Sequence, residues 1–180
     1  MAYDRCARIA IVLTGAILTA LPFAAAHAQT TPAAQTTAAP PAAPPAYGLG
    51  ISLDAAKKAM AAAEAEARKN NWPVAIAIVD SAARLVMFVK IDNTQHGSVD
   101  IALGKATTAV NLRRPTKALQ DAIGQGGSNL RLLAVPGVMP LEGGVLITGA
   151  DGKIIGGIGV SGVASNQDAQ VAEAGAAAAK

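Results

Sequence analysis

Apolar and polar positions follow two rhythms along residues 48–180. Leu53, Ala56, Met60, Ala63 and Ala67 recur at steps of three and four, which predicts one apolar face of a helix. Ser52 and Asp54 open that helix, and Asn70-Asn71 close it after Lys69. Residues 73–79 and 84–91 are apolar at almost every position. That continuity predicts two strands of a sheet covered on both faces, joined as a hairpin through residues 80–83. A polar loop, residues 92–97, leads into a helix that Ser98 is expected to cap and that ends near Arg113. Ala102, Ala106, Ala109 and Val110 form its buried side, with Lys105 and Thr108 near the edge of that face. Pro115 starts a short helix over 116–123, with Thr116 as a capping or turn residue. Residues 129–135 fit a helix and a strand equally. The β-rich runs 145–148 and 153–160 flank Asp151-Gly152, a strong hairpin signal. A final helix begins near Ser165, with Val171, Ala174 and Ala178 toward the sheet. Hairpins separated by helices predict an α+β fold, with a mainly antiparallel sheet between helical layers.

The last strand has an unusual face. Strict alternation puts Ile154, Gly156, Ile158 and Val160 on one side and Ile155, Gly157, Gly159 and Ser161 on the other. The second side is nearly bare, so a helix, another subunit or a flat ligand could reach the backbone. Residues 157–162 also fit G-x-G-x-x-G, the dinucleotide fingerprint. Here the glycines fall inside the strand rather than after it, and no second βα unit follows, which argues against a nucleotide fold.

Composition divides the chain into three parts. Arg5 and Arg8 precede an uncharged apolar run, Pro22 breaks it, and Ala26-His27-Ala28 reads as a cleavage site. Residues 1–28 are therefore expected to be an export signal peptide, placing the mature protein in the periplasm or outside the cell. Residues 29–47 hold five Pro, seven Ala and four Thr with no charge, the composition of an extended linker. Residues 48–180 then form one domain of ordinary size. Cleavage would remove the only Cys and leave His96 as the only His. Disulfides and thiolate chemistry are thereby excluded from the mature chain. Its 13 basic and 11 acidic residues are scattered, unlike the clustered stripe of a nucleic-acid surface, so no nucleic-acid partner is expected. Nor is a transmembrane segment expected after cleavage.

Several stretches together resemble the GlcG/HbpS family, also seen as the C-terminal domain of some corrinoid adenosyltransferases. They are AIVDSAARLV at 77–86, Asp92, SVDIALGKATTA at 98–109, Arg114-Pro115-Thr116, GKIIGGIGVSG at 152–162 and QDAQVAEAG at 167–175. The resemblance spans nearly all of residues 48–180. It implies a profilin-like α/β/α sandwich, assembly into homo-oligomers, and binding of haem. Two positions depart from the family pattern. Ala83 stands where a Gly is usual in the first hairpin turn, and Asn93-Thr94-Gln95-His96 replaces small residues after Asp92.

Candidate chemistry is sparse. His96, the remaining imidazole, is either an axial ligand to haem iron or an exposed loop residue. Lys105 and Arg114 would pair with ligand carboxylates, haem propionates included; the alternative is an ion pair with Asp80, Asp92 or Asp100. Met87, Met139 and Trp72 read as core residues. No residue is assigned a catalytic role, since no Ser-His-acid or Cys-His pattern is visible. The expected function is an exported, oligomeric haem- or tetrapyrrole-binding protein. The alternatives are an accessory protein or enzyme for a small, glycolate-type carboxylate, and a non-catalytic assembly protein.

Overall fold

The computed structural model describes residues 43–180; the expected signal peptide and the linker as far as residue 42 lie outside the described residues. Helix α1 (Leu53–Lys69) is followed by strands β1 (Ala75–Asp80) and β2 (Leu85–Lys90). Helices α2 (Ser98–Leu112) and α3 (Thr116–Gly124) come next, then a 3-10 helix, Gly127–Ala134. Strands β3 (Gly144–Thr148) and β4 (Ile154–Ser161) lead to helix α4 (Ser165–Ala178). The four strands form one antiparallel sheet in the order β2-β1-β4-β3. The α+β architecture expected from the sequence is the one observed.

Each face of the sheet carries its own core. On one side Ala56, Ala59, Met60 and Ala63 of α1 and Val171 and Ala172 of α4 pack on Ile76, Ile78, Ile147, Ile158 and Val160. On the other, Ala102, Ala106 and Val110 of α2 meet Ala75, Ala77, Val79 and Ile154. The small side chains bring helix axes close to the strands. The approach is very close where α2 crosses β4. A Cβ added at Gly159 would land on the Ala102 carbonyl, and one at Gly157 would stand 2.7 Å from Val110 Cγ2. The bare face of β4 is therefore filled by a helix of the same chain.

Three expectations are corrected. Strand β2 is not covered on both faces; it is an edge strand, half-exposed along most of its length. Ile154 does not share the face of Ile158 and Val160. The β3–β4 register shifts between Ile147 and Thr148, whose partners are Gly156 and Ile154, and a bulge there reverses the in–out alternation. Ser98 does not cap α2 with its side chain. It is buried, and its hydroxyl is 3.1 Å from that of Ser161 on β4. Ala83 does take the left-handed conformation that its Gly-like place in the turn demands (φ 59°).

Both long helices end in the same way. After α1, Trp72 N–H donates to Ala67 O (2.9 Å) and Asn71 N–H to Arg68 O (3.1 Å), with Asn71 left-handed (φ 56°). After α2, Arg114 N–H donates to Ala109 O and Arg113 N–H to Val110 O, both at 3.1 Å, with Arg113 left-handed (φ 51°). These are Schellman closures, which satisfy carbonyls left open at a helix end. Tyr47, which composition assigns to the linker, donates its hydroxyl to Val110 O (2.9 Å), and its ring lies 5.6 Å from the Arg113 guanidinium.

The α2–β4 contact makes a direct prediction. Gly159→Ala should lower the stability of the domain by about 3 kcal/mol, the upper range for overpacking a filled core. Gly97→Ala, at an ordinary φ of −62° with no atom within 4 Å of the added carbon, should leave it nearly unchanged. Denaturant unfolding of the two variants checks this; equal stabilities would contradict the packing account.

Candidate functional site

The three residues expected to bind a ligand do not converge within the chain. His96 is exposed in the loop before α2, Lys105 is near the middle of that helix, and Arg114 is exposed beyond its end. The fifteen residues of α2 separate the two ends by about 22 Å. Arg114 turns back on its own helix, its Nε donating to Leu112 O at 3.1 Å.

Lys105 has an internal task. It is 1% exposed, and its Nζ donates to Val160 O and to Asp168 Oδ2, each at 2.8 Å. The ion-pair partner is thus Asp168, not Asp80, Asp92 or Asp100, and the amino group is closed to a ligand in this chain. Asp168 Oδ1 accepts from Val163 N–H at 3.2 Å. Val160 N–H donates to Gly143 O at 2.9 Å. Gly143 (φ 121°) passes so near that an added Cβ would be 2.8 Å from Lys105 Nζ. One buried cation therefore ties α2 to β4 and to the first turn of α4. Burial pushes Lys105 below the usual lysine range and raises Asp168 above the usual carboxylate range, because each charge has lost water. Thr116 makes a second tie: its buried hydroxyl accepts from Gly144 N–H at 2.8 Å, so it is a bridge to β3 rather than a helix cap.

The open concavity is elsewhere. A cleft of about 450 Å³ is lined by Arg68, Asn71, Trp72, Pro73, Ile91, Asp92 and Asn93. This volume is within the range of small-molecule sites. Trp72, Pro73 and Ile91 are half-buried, while Arg68, Asn71, Asp92 and Asn93 are exposed. An aromatic and aliphatic floor thus carries a polar rim. One lip is the Schellman closure of α1. The other is the β2–α2 loop, held by Ile91 N–H to Val74 O (3.0 Å) and by the Thr94 hydroxyl to Ile91 O (2.6 Å). Trp72 serves the core and the cleft at once: it packs against the α1 cluster and also lines the opening. Asn93, left-handed at φ 66°, stands three residues before His96.

Residues 51–177 match the family model described as haem degrading protein HbpS-like. The chain belongs to the HbpS-like family. It is 39% identical over 111 residues to Protein GlcG of Escherichia coli K12, covering 62% of this chain and 81% of GlcG. Among solved structures, a double mutant of Streptomyces reticuli HbpS is similar at a TM-score of 0.66 and 35% identity, covering 78% of this chain and 96% of that one. A structure described as a PduOC–heme complex is similar at a TM-score of 0.66 and 28% identity, covering 72% of this chain and 95% of that one. The HbpS-like fold accounts for the ties around Lys105 as scaffold: they join the layers of the sandwich and leave the cleft and the His96 loop at its surface.

The HbpS-like scaffold should depend strongly on the buried pair. Lys105→Met, which strands Asp168 without its cation, should cost about 3–5 kcal/mol. Lys105→Met combined with Asp168→Leu should recover a substantial part of that loss, because neither charge then remains buried alone. Unfolding of the single and double variants checks this; a double variant no more stable than the single would contradict it.

Proposed function

We propose that this HbpS-like protein is exported and binds haem or a related tetrapyrrole, working as a homo-oligomer. The observation that carries the reading is the similarity to the PduOC–heme complex, which extends over 95% of that chain. The signal-peptide pattern of residues 1–28 supports export. The Ala-rich helices and the half-exposed edge strand β2 support assembly.

The chain's own residues suit such a ligand. Among the described residues, no group of three His, Cys, Asp or Glu side chains could cage a bare metal ion. Haem iron is already held by its macrocycle and asks the protein for axial ligands only. His96, exposed on its loop, is available for that role. The cleft, which Asp92 and Asn93 of the same loop help to line, offers an aromatic side chain in Trp72 and a cation in Arg68. Haem, when bound, would supply the redox chemistry of its iron; the protein would supply binding, orientation and shielding from water.

Titrating the mature protein with haem should give a saturable shift of the Soret band. His96→Ala should change the position of that band, because an axial ligand is lost. Absence of any saturable shift in the unaltered protein would overturn the haem reading. An identical spectrum in the variant would remove His96 from the coordination.

A further inference from the structure

Haem carries two acid side chains, and in sequence Lys105 and Arg114 are candidates either to pair with them or to form ion pairs with Asp80, Asp92 or Asp100. The structure closes Lys105 inside the sandwich against Asp168 and leaves Arg114 at the far end of α2 from His96. The acid groups of a tetrapyrrole therefore need another partner. We infer that the cleft of Trp72 receives the acid edge of the macrocycle, with Arg68 pairing to a propionate. The inference rests on the tetrapyrrole reading and assigns it a place.

Four observations meet at the cleft. Trp72, Pro73 and Ile91 give its lining an apolar part, and an aromatic side chain suits a conjugated ring. Arg68 supplies the only cation of its lining, and a guanidinium presents a planar fork matched to a carboxylate. Its present partner is Glu64, 3.2 Å away, and the Arg68 side chain is 64% exposed; an exposed pair of this kind is weak and readily exchanged. Asn71 and Asn93 both hold left-handed backbones, at φ 56° and 66°. Gly would serve those conformations equally well. Asn adds an amide to each lip, able to donate to a carboxylate.

Charge also orients the ligand. Arg68 and Asn71 stand on the α1 lip, whereas Asp92 stands on the loop lip beside Asn93. A propionate is attracted to the first lip and repelled from the carboxylate of the second. The acid edge is thus directed toward α1, and the loop that bears His96 forms the other side of the entrance. Both lips are hydrogen-bonded to helix or strand, so little ordering is left to be done on binding.

The test uses the mature protein, metal-free protoporphyrin IX and its dimethyl ester, which has no propionate charge. Omitting iron separates the cleft from axial ligation. Combining Arg68→Gln with Asn71→Gly removes the charge and the amide of the α1 lip while keeping the left-handed backbone. The double variant should raise the Kd for protoporphyrin IX by about tenfold. It should leave the affinity for the dimethyl ester unchanged, which a general loosening of the fold would not. Unchanged affinity for the free acid overturns the inference and leaves the haem reading standing. Equal losses for acid and ester overturn it too, since the cleft would not then be reading the propionate. If the unaltered protein binds neither haem nor protoporphyrin IX, the inference falls together with the reading beneath it.

Discussion

Where helix α2 crosses Gly157 and Gly159 of β4 it rests on backbone rather than on side chains. Gly157 and Gly159 take the side chains off one face of β4, and the carbonyl of Ala102 and the chain around Ala106 occupy the space. Much of the sandwich follows from that one contact. A helix seated so close to the sheet presents even the edge of its buried face to the interior. Lys105, next to Ala106, falls inside the sandwich for this reason. Its charge then requires an internal counter-charge, because an unpaired buried ammonium would cost several kcal/mol. Asp168 meets that need from the first turn of α4, and Gly143 gives the pair room from the start of β3.

The same contact decides where a ligand can be received. The bare strand face, the most open feature of the sequence, is covered by α2. The lysine that resembles a propionate partner is enclosed beside it. An accessible cleft remains where α1 closes, β1 begins and the loop after β2 turns toward α2. There the chain keeps Trp72, the Arg68 guanidinium and the amides of Asn71 and Asn93, on a lining that the loop bearing His96 helps to form. Fold and site are separable in this sense: buried polar groups join the layers, and exposed ones surround the cleft.

Most of the architecture was legible from periodicity. The α1 stripe was correct apart from Leu53, which is exposed, and Ala59, which is buried instead. Both hairpins were placed within a residue or two, and the antiparallel α+β plan followed from their grouping. Long-range facts were less legible. Strand β2 and strand β1 look alike in hydropathy, yet one is an edge and the other is central, and local pattern carries no information on neighbours. The face of α4 was shifted, because in a helix so rich in alanine Ala172 and Gly175 look no more apolar than Ala174 and Ala178. Lys105 was placed near the helix edge, but its partner lies 63 residues away, beyond any spacing rule. Arg68 and the two left-handed asparagines give no ligand signal in sequence, since each has an ordinary local role at a helix end or in a turn. Their shared cleft exists only after α1 and the β2–α2 loop are brought together.

The central claim is that an HbpS-like chain with a closed Lys105 receives a tetrapyrrole at the α1–loop cleft. A structure of the mature protein with haem bound tests this most directly. The account predicts the macrocycle against Trp72, with a propionate within hydrogen-bond distance of Arg68 and the Lys105–Asp168 pair intact. Haem seated away from Trp72, or a propionate bound to Lys105 with that pair broken, would contradict it.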